Sequence, residues 1–304
     1  MPASDHTVAP TLNIVGAGRV AQTLASQWHI QGSFAIQDVL TTSLHSAQAA
    51  CAVIGAGLAV DRVQAMRQAD VWMLAVPDAQ LASCVQTLAA AQGACNATDS
   101  TQLPCTAHQK ATSPTTNAPI VFHCSGAQSA ATLARLAALG WEVASAHCIL
   151  SFASVPTAIA QFSGTPCALE GDAAACAALR SAFTAIGAQC FDVASSDKLL
   201  YHAAAVFATN FLPVLQATAE DLWRSTGMPA ELIPALRTSL LRNAVANITA
   251  LGPQAALTGP AARGDTAAIA TQAAAVAEWD APTGAAYDAL SVLALRLAQK
   301  KSNF

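Results

Sequence analysis

The sequence predicts an α/β domain built on a doubly wound, mostly parallel sheet, followed by an all-α C-terminal domain. Over the first two-thirds of the chain, short apolar runs of strand length alternate with alanine-rich segments of helical length. This alternation is typical of a parallel sheet that helices cover on both faces. After about residue 194 the strand-like runs stop, and helical patterns separated by turns with Gly and Pro continue to the end. We therefore predict two domains, residues 1–193 and residues 194–304.

Six apolar runs are predicted to form the strands of the sheet. Each is short, rich in Val, Ile, Leu, Ala or Phe, and followed by a turn or by a helical pattern. In chain order they are LNIVG (12–16), FAIQDVLT (34–41), VWMLAV (71–76), IVFHC (120–124), EVASAH (142–147) and TPCALEG (165–171).

Two features interrupt these patterns. Residues 93–119 are polar, rich in Thr and Ser and interrupted by prolines, so we predict a long exposed loop there. Pro213 lies within the apolar helix that begins near residue 197. Because proline lacks the amide hydrogen and clashes with the preceding turn, we predict that this helix ends or kinks near Leu212.

Composition excludes several classes of protein. The chain has 304 residues, 54% of them hydrophobic and 11% charged, and its net charge of −4 with no basic run argues against a nucleic-acid partner. The longest uncharged stretch, residues 203–219, is interrupted by polar residues, which favours a buried helix over a membrane span. Nine cysteines without a CxxC motif or a Cys/His cluster favour reduced thiols and no metal site. The N-terminus does not resemble a signal peptide, so we predict a soluble cytoplasmic protein.

A glycine loop follows the first predicted strand. Gly16 permits a tight turn, Gly18 lets the backbone approach a pyrophosphate, and the small Ala21 lets helix and strand pack closely. Amides at the start of the following helix would then bind the anion, although a tight turn without a ligand is the alternative. The loop residues predicted to bind a dinucleotide are Gly16, Ala17, Gly18, Arg19 and Val20.

The end of the second strand indicates which dinucleotide is bound. An acidic residue there would bind the ribose hydroxyls of NAD, but Asp38 lies inside the apolar run. The strand tip is instead Thr41, Thr42 and Ser43, which offers hydroxyl groups and accommodates a 2′-phosphate. We therefore predict NADP, with NAD as the alternative, and assign Thr42 and Ser43 to the cofactor site.

Together these residues resemble the Rossmann-like DUF2520 proteins, which are related to pyrroline-5-carboxylate reductase, ketopantoate reductase and the β-hydroxyacid dehydrogenases. The resemblance implies an N-terminal NADP-binding Rossmann domain and a helical, 6-phosphogluconate dehydrogenase C-terminal-like domain that dimerises. The usual His-Pro after the fifth strand is replaced by His147-Cys148, and the basic residue common at the tip of the second strand is replaced by Thr42. The matching segments are residues 16–20, AVPD (75–78), HCSGAQS (123–129), HCILSF (147–152), DKLLYHAAAVFATNF (197–211) and LTGPAARGD (257–265).

Polar residues follow three further strands. Ligands bind at the carboxyl ends of the strands in open α/β folds, so these residues are candidates for the site. A lone histidine is more often structural than catalytic, but two at adjacent strand ends favour function. We assign to the cofactor Ala75, Val76, Pro77 and Ser125, and to catalysis His123 and His147.

The helix that follows the α/β domain carries unusual polar residues. Lys198 and His202 are four residues apart and so share one face, whereas Asn210 lies about 120° round an ideal helix from Lys198. A charged group on so apolar a helix must be paired, neutral or directed into a solvent-filled cleft, here the cleft between the domains. In the related reductases a lysine and an asparagine on this helix face the nicotinamide, which implies that Lys198 is the proton donor. The alternative is a solvated lysine in an exposed first turn.

Arg263 lies in a loop bounded by Gly and Pro. It could bind a substrate carboxylate or a cofactor phosphate, or pair with the nearby Asp265.

The predicted function is an NADP-dependent oxidoreductase that transfers hydride between nicotinamide and a small C=O or C=N substrate, acting as a homodimer. The alternatives are a 2-oxo acid reductase similar to ketopantoate reductase, and a non-catalytic dinucleotide-binding regulatory protein.

Overall fold

The computed structural model describes residues 8–98 and 118–300 of the chain. The chain divides into two compact units, Met1–Ala205 and Val206–Phe304. The sequence placed the boundary at residues 193 and 194, where the strands stop. The first unit also includes the helix that follows, in which Lys198 bonds to Ser125, just after β5, and to Ser145 of β6.

The first unit is built on one eight-stranded sheet with the strand order β3-β2-β1-β4-β5-β6-β7-β8. Every neighbouring pair is parallel except β6 and β7, which are antiparallel. The strands are β1 (Thr11–Val15), β2 (Ala35–Leu40), β3 (Leu58–Val60), β4 (Val71–Leu74), β5 (Ile120–His123), β6 (Glu142–Cys148), β7 (Pro166–Gly171) and β8 (Gln189–Asp192). The predicted mostly parallel sheet and all six predicted strands are confirmed, and β3 and β8 are additional edge strands.

Helices cover both faces of the sheet, and each face has its own apolar core. On one face Trp28 is fully buried and meets Phe34, Phe122 and Phe183 edge to face, while its indole nitrogen donates to the Ala182 carbonyl at 3.0 Å. The other face is centred on Trp72. The helices of this unit are α1 (Arg19–Gln31), α2 (Leu44–Ile54), α3 (Asp78–Thr98), α4 (Ala134–Ala137), α5 (Val155–Gln161), α6 (Ala173–Ala185) and α7 (Lys198–Ala205).

The second unit is helical throughout its described residues, as the sequence predicts. A π-helical turn, Val206–Asn210, opens it. The α-helices that follow are α8 (Phe211–Ser225), α9 (Ile233–Ala255), α10 (Gly259–Ala262), α11 (Thr266–Trp279) and α12 (Ala281–Gln299).

Pro213 does not end the helix that contains it. The helix runs on through α8, and the irregularity is the π-helical turn just before the proline. Pro213 has no amide hydrogen and cannot donate to the carbonyl four residues earlier. That carbonyl lies in the π-helical turn, where the regular i→i−4 hydrogen bonds are already interrupted. The helix therefore does not end near Leu212, and its irregular turn lies slightly earlier, at Val206–Asn210. The 120° angle expected for Asn210 assumed 3.6 residues per turn throughout, whereas five residues of the intervening stretch form the wider turn.

The predicted loop at residues 93–119 lies mostly outside the described residues. Residues 93–98 belong to the end of α3 rather than to a loop. By length and composition alone, the helical stretch Ser195–Ser225 could cross a membrane, although core helices of soluble proteins pass the same test. Its most apolar window is not buried among the described residues, so the prediction of a buried helix over residues 203–219 is wrong for the chain by itself.

Candidate active site

The glycine loop joins β1 to α1 and depends on glycine at its first position. Gly16 has a φ of +81°, and its amide donates to the Leu40 carbonyl at 2.8 Å. A Cβ atom here would lie 2.7 Å from the Ala75 carbonyl oxygen and 2.8 Å from a methyl group of Val76. Both the backbone conformation and the neighbouring strand end therefore require glycine.

The second glycine of the loop faces open space. Gly18 is the N-cap of α1, has an ordinary φ of −73°, and a Cβ atom added to it would meet no atom within 4 Å. The amides of the first turn of α1 follow directly, and no acidic residue lies in that turn. Room beside the backbone at the N-terminus of a helix fits a pyrophosphate. The loop thus fits the dinucleotide that the sequence predicts.

Other loop residues serve packing and local structure. Ala21 is completely buried, and Ala17 and Val20 pack on the apolar core. The Arg19 guanidinium donates to the Ala153 carbonyl at 2.7 Å and so ties the loop to the segment after β6. Arg19 therefore has a partner on the protein in addition to its predicted place at the cofactor.

The end of β2 carries hydroxyl groups and no free carboxylate. Asp38 is fully buried, and its carboxylate accepts both from the Arg67 guanidinium at 2.6 Å and from the Arg67 amide at 2.7 Å. Ser43 is the N-cap of α2 and accepts from the Ser46 amide, while Thr42 is exposed beside it. The Asp38 carboxylate is thus already bound by Arg67, and the polar side chains left at the strand tip include Thr42 and Ser43, which the sequence assigns to the cofactor.

A side-chain hydrogen bond links the segment after β4 to the turn after β5. The Ala75 amide extends the pairing of β1 with β4 by donating to the Val15 carbonyl at 2.8 Å, and Pro77 is exposed just beyond. The Ser125 hydroxyl donates to Asp78 at 2.8 Å and accepts from the Gln128 amide at 3.0 Å. Ser125 is therefore held in place by this turn rather than being free to move.

His123 is a buried, neutral histidine held by the backbone. Its Nδ1 accepts from the Ser125 amide at 3.2 Å, so the proton is on Nε2, which lies 3.1 Å from the Ser129 carbonyl. Burial lowers the pKa of His123 to about 4. Since both ring nitrogens have backbone partners, this geometry favours a role in shaping the turn.

Lys198 is buried, with 1% of its surface exposed, and is not the solvated residue of an exposed first turn. Its ammonium donates to the Ser145 hydroxyl at 2.6 Å and to the Ser125 carbonyl at 3.2 Å. Burial lowers the pKa of Lys198, and the nearby carboxylates of Glu170 and Asp78 partly oppose this effect. A lysine in this setting gives up a proton more readily than one in water, as a general acid must.

His147 and His202 lie together at the end of β6. The His147 Nδ1 lies 2.7 Å from the Tyr201 hydroxyl, and its ring meets that of His202 edge to face at 5.6 Å. Burial, together with the nearby His202 and Lys198, lowers the pKa of His147 to about 4. The His202 Nδ1 is buried and has no hydrogen-bond partner among the described residues.

Gly126 makes room for the two imidazole rings. A Cβ atom at this position would lie 2.5 Å from the His202 Nδ1 and 2.8 Å from the His147 Nε2. The φ of Gly126 is not positive, so space rather than backbone conformation requires glycine here. The turn after β5 is therefore shaped to fit the two histidines.

Two predicted site residues belong to the second unit. Asn210 is exposed at the end of the π-helical turn, and its side chain accepts from the Thr209 hydroxyl at 2.9 Å. Arg263 is exposed at the C-terminus of α10. The Asp265 carboxylate caps α11 by accepting from the Ala268 amide at 3.0 Å, and the ion pairs of the described residues do not include Arg263 with Asp265.

Sequence reasoning missed several residues around Lys198. Glu170 is a buried acidic residue near the end of the apolar strand β7, and the same contrast that drew attention to Lys198 would have identified it. Ser145 and Tyr201 lie within segments that were already noted, but their partners are distant in the sequence. The spatial requirement at Gly126 has no signature in the sequence.

A mostly parallel sheet with a glycine loop after its first strand defines the class of this unit as a Rossmann-like fold. Residues 11–95 match the family described as NADP oxidoreductase, coenzyme F420-dependent, and residues 165–293 match DUF2520, a domain of unknown function. Both matches agree with the resemblance found in the sequence, the first over the N-terminal part of the chain and the second over the C-terminal part. No curated protein matches it significantly.

Solved structures share this fold over nearly the full length of the chain. Protein TM1727 from Thermotoga maritima is 22% identical with a TM-score of 0.69, and the match covers 95% of this chain and 98% of that one. An imine reductase from Myxococcus stipitatus in complex with NADP+ is 18% identical, with a TM-score of 0.58 and coverage of 94% and 93%. A 1-pyrroline-5-carboxylate reductase from Streptococcus pyogenes is 16% identical, with a TM-score of 0.57 and coverage of 95% and 100%. At these identities the likeness establishes the fold.

Proposed function

We propose that this protein is an NADP-dependent reductase that transfers hydride to a small C=N or C=O substrate. The observation that carries the proposal is the buried Lys198 ammonium, which bonds to Ser125 just after the carboxyl end of β5 and to Ser145 in the adjacent β6, in the same unit as the glycine loop. The fold match to an imine reductase and to a pyrroline carboxylate reductase supports the C=N class.

Each group of residues has a separate task in this proposal. When bound, the nicotinamide cofactor supplies the hydride. The open backbone at Gly18 and the amides of α1 hold the pyrophosphate, and Lys198 donates a proton to the nitrogen or oxygen that becomes more basic as it is reduced. His147 is neutral at pH 7 and orients the substrate as a hydrogen-bond donor or acceptor. We propose that His202, four residues from Lys198 on the same helix, helps to hold the substrate or tunes the proton affinity of Lys198.

The activity is tested by following NADPH oxidation with substrates of each class. We expect turnover of cyclic imines such as 1-pyrroline or 1-pyrroline-5-carboxylate. Turnover of ketopantoate but not of imines would instead favour the 2-oxo acid reductase. Tight NADPH binding without turnover of either class would favour the non-catalytic regulatory protein.

NADPH is expected to bind more tightly than NADH. The tip of β2 offers the hydroxyl groups of Thr42 and Ser43, and the only nearby acid of that strand, Asp38, is held by Arg67. Hydrogen bonds to a charged phosphate contribute about 1.5–3 kcal/mol, so the difference should be about tenfold or more. Calorimetric titration with each cofactor measures it.

Ser43→Asp provides a matched variant for this prediction. Aspartate caps a helix as well as serine does, so α2 should be preserved while a carboxylate is placed at the strand tip. The variant should lose affinity for NADPH and keep its affinity for NADH. Equal affinities for the two cofactors in the unchanged protein would contradict the assignment to NADP.

We further propose that the protein is a soluble cytoplasmic homodimer. Within the described part of the second unit, few residues are buried. Large apolar side chains are exposed along the π-helical turn, α8 and α9. Such a surface usually marks an interface. The exposed side chains include Phe207, Phe211, Leu212, Val214, Leu215, Val245 and Ile248.

Sedimentation at micromolar concentration should give a species of twice the chain mass of 30.9 kDa. Val214→Arg should shift the equilibrium towards the monomer, because it places a charge on the apolar surface of α8. Ile30→Arg is the matched control, since Ile30 is also exposed but lies at the end of α1 in the first unit. A single species of the chain mass in the unchanged protein would contradict the dimer.

A further inference from the structure

A chain of hydrogen bonds connects Lys198 to the surface of the first unit. The Lys198 ammonium donates to the Ser145 hydroxyl at 2.6 Å, and that hydroxyl donates to the Glu170 Oε2 at 3.0 Å. The other carboxylate oxygen, Oε1, accepts from the Ser195 hydroxyl at 2.6 Å. Three consecutive contacts thus lead from the ammonium to Ser195.

The two ends of this chain differ in their access to water. Lys198 and Ser145 are almost completely buried, and Glu170 is 7% exposed, whereas Ser195 lies at the surface before α7. The Ala130 amide also donates to Glu170 Oε2, at 2.8 Å, so the carboxylate is held by three donors from separate elements. The path is therefore continuous in hydrogen bonds from Lys198 to Ser195.

A buried proton donor needs a supply of protons. If Lys198 donates a proton in each reaction cycle, as in the function proposed above, it must recover one before the next cycle. With 1% of its surface exposed, it has little direct contact with solvent. We propose that Ser195, Glu170 and Ser145 form a proton path that recharges Lys198 from the solvent.

The transfers balance as follows. When Lys198 loses a proton, its Nζ keeps the electron pair of the broken N–H bond and becomes an acceptor. The Glu170 carboxylate first takes a proton on Oε1 from the Ser195 hydroxyl, which takes one from water. The carboxyl group then turns about its Cγ–Cδ bond and gives this proton to the Ser145 oxygen, as the Ser145 hydroxyl passes its own proton to Nζ. Glu170 is a carboxylate again at the end of the transfer. One proton enters from water for each proton that leaves Nζ, and no group is oxidised or reduced.

Asp78 is the other carboxylate that acts on Lys198, but it is not on the path. It accepts from the Ser125 side chain, whereas Lys198 donates to the Ser125 backbone carbonyl, which carries no proton to pass on. Asp78 therefore affects the charge of Lys198 without offering it a route to solvent. The titratable groups that face Lys198 from the surrounding elements are Asp78, His123, His147, Cys167 and Glu170.

The path can be tested on the full chain without any substrate. The chain has four lysines, so ¹⁵N-lysine labelling gives few side-chain signals, and Lys198→Met identifies the one from Lys198. The measurement is the rate at which the Lys198 ammonium hydrogens exchange with solvent. Glu170→Gln and Ser145→Ala should each slow this exchange measurably, because each removes a group through which the proton would pass between Lys198 and Ser195. Ser195→Ala, at the surface, should slow it with little effect on folding.

Asp78→Asn is the matched control, since it removes a carboxylate that faces Lys198 and breaks no link of the path. Unchanged exchange in Glu170→Gln and Ser145→Ala, or equal slowing in Asp78→Asn, would overturn the proposal. The measurement uses neither cofactor nor substrate, so the proton path and the reductase activity can fail separately. Turnover with unaffected exchange would remove only the path, and loss of the activity would leave the exchange result standing.

Discussion

Lys198→Met is expected to lower turnover by about 10²–10⁴, the usual scale for losing a general acid. Met keeps the length and apolar stem of the side chain but removes the ammonium that contacts Ser145 and Ser125. The affinity for NADPH should change little, because the glycine loop and the tip of β2 are unaltered. The loss should therefore appear in kcat, measured with an imine that the unchanged protein reduces.

The same substitution also has a cost in stability. Glu170 is buried, and Lys198 is the cation nearest to it through Ser145, so removing the ammonium leaves a buried carboxylate without its countercharge. Breaking a buried ion pair costs several kcal/mol, and with a hydroxyl between the charges we expect about 2 kcal/mol. Thermal or denaturant unfolding of the variant measures this loss.

The double variant Lys198→Met, Glu170→Gln separates the two effects. It removes both charges, so stability should recover towards that of the unchanged protein, while turnover should remain low. If turnover recovers together with stability, the loss in the single variant came from the fold, and Lys198 is not the proton donor. Near-normal turnover in Lys198→Met itself would contradict that role directly and leave His147 as the candidate.

The fold could be predicted from the sequence because its central strands are buried on both faces and are therefore mostly apolar. β4 is apolar throughout, β1 is apolar apart from Thr11 and Asn13, and β5 is apolar up to His123; each coincides with a predicted run. The two strands that were missed, Leu58–Val60 and Gln189–Asp192, lie at the edges of the sheet and are short and half exposed. Their pairing depends on a neighbouring strand rather than on their own sequence.

The candidate site was only partly predictable, for a related reason. Lys198 attracts attention because a cation is unusual in an apolar helix, but its partners come from β5 and β6, and no local pattern connects them. The sequence left open whether Asp38 could reach a ribose, and only the contact with Arg67 shows that its carboxylate is occupied. Contacts between distant segments decide such questions.

Gly18→Val is expected to abolish NADPH binding and to leave the fold intact. Gly18 has an ordinary φ and its added Cβ would meet no atom of the protein, so the backbone and the packing tolerate a side chain. The branched side chain would instead occupy the open space beside the N-terminus of α1, where the pyrophosphate would approach. Gly16 cannot be used for this test, because a Cβ there would strike the end of β4 and damage the fold itself.

Gly93→Val is the matched control for this prediction. Gly93 also lacks a positive φ and has no atom within 4 Å of an added Cβ, but it lies in α3. Both variants should keep the circular dichroism spectrum of the unchanged protein, and a valine in a helix costs at most about 1 kcal/mol relative to the better helix formers. Calorimetry should detect NADPH binding to Gly93→Val and none to Gly18→Val. If Gly18→Val binds NADPH with unchanged affinity, the loop is a tight turn without a ligand, and the cofactor site lies elsewhere.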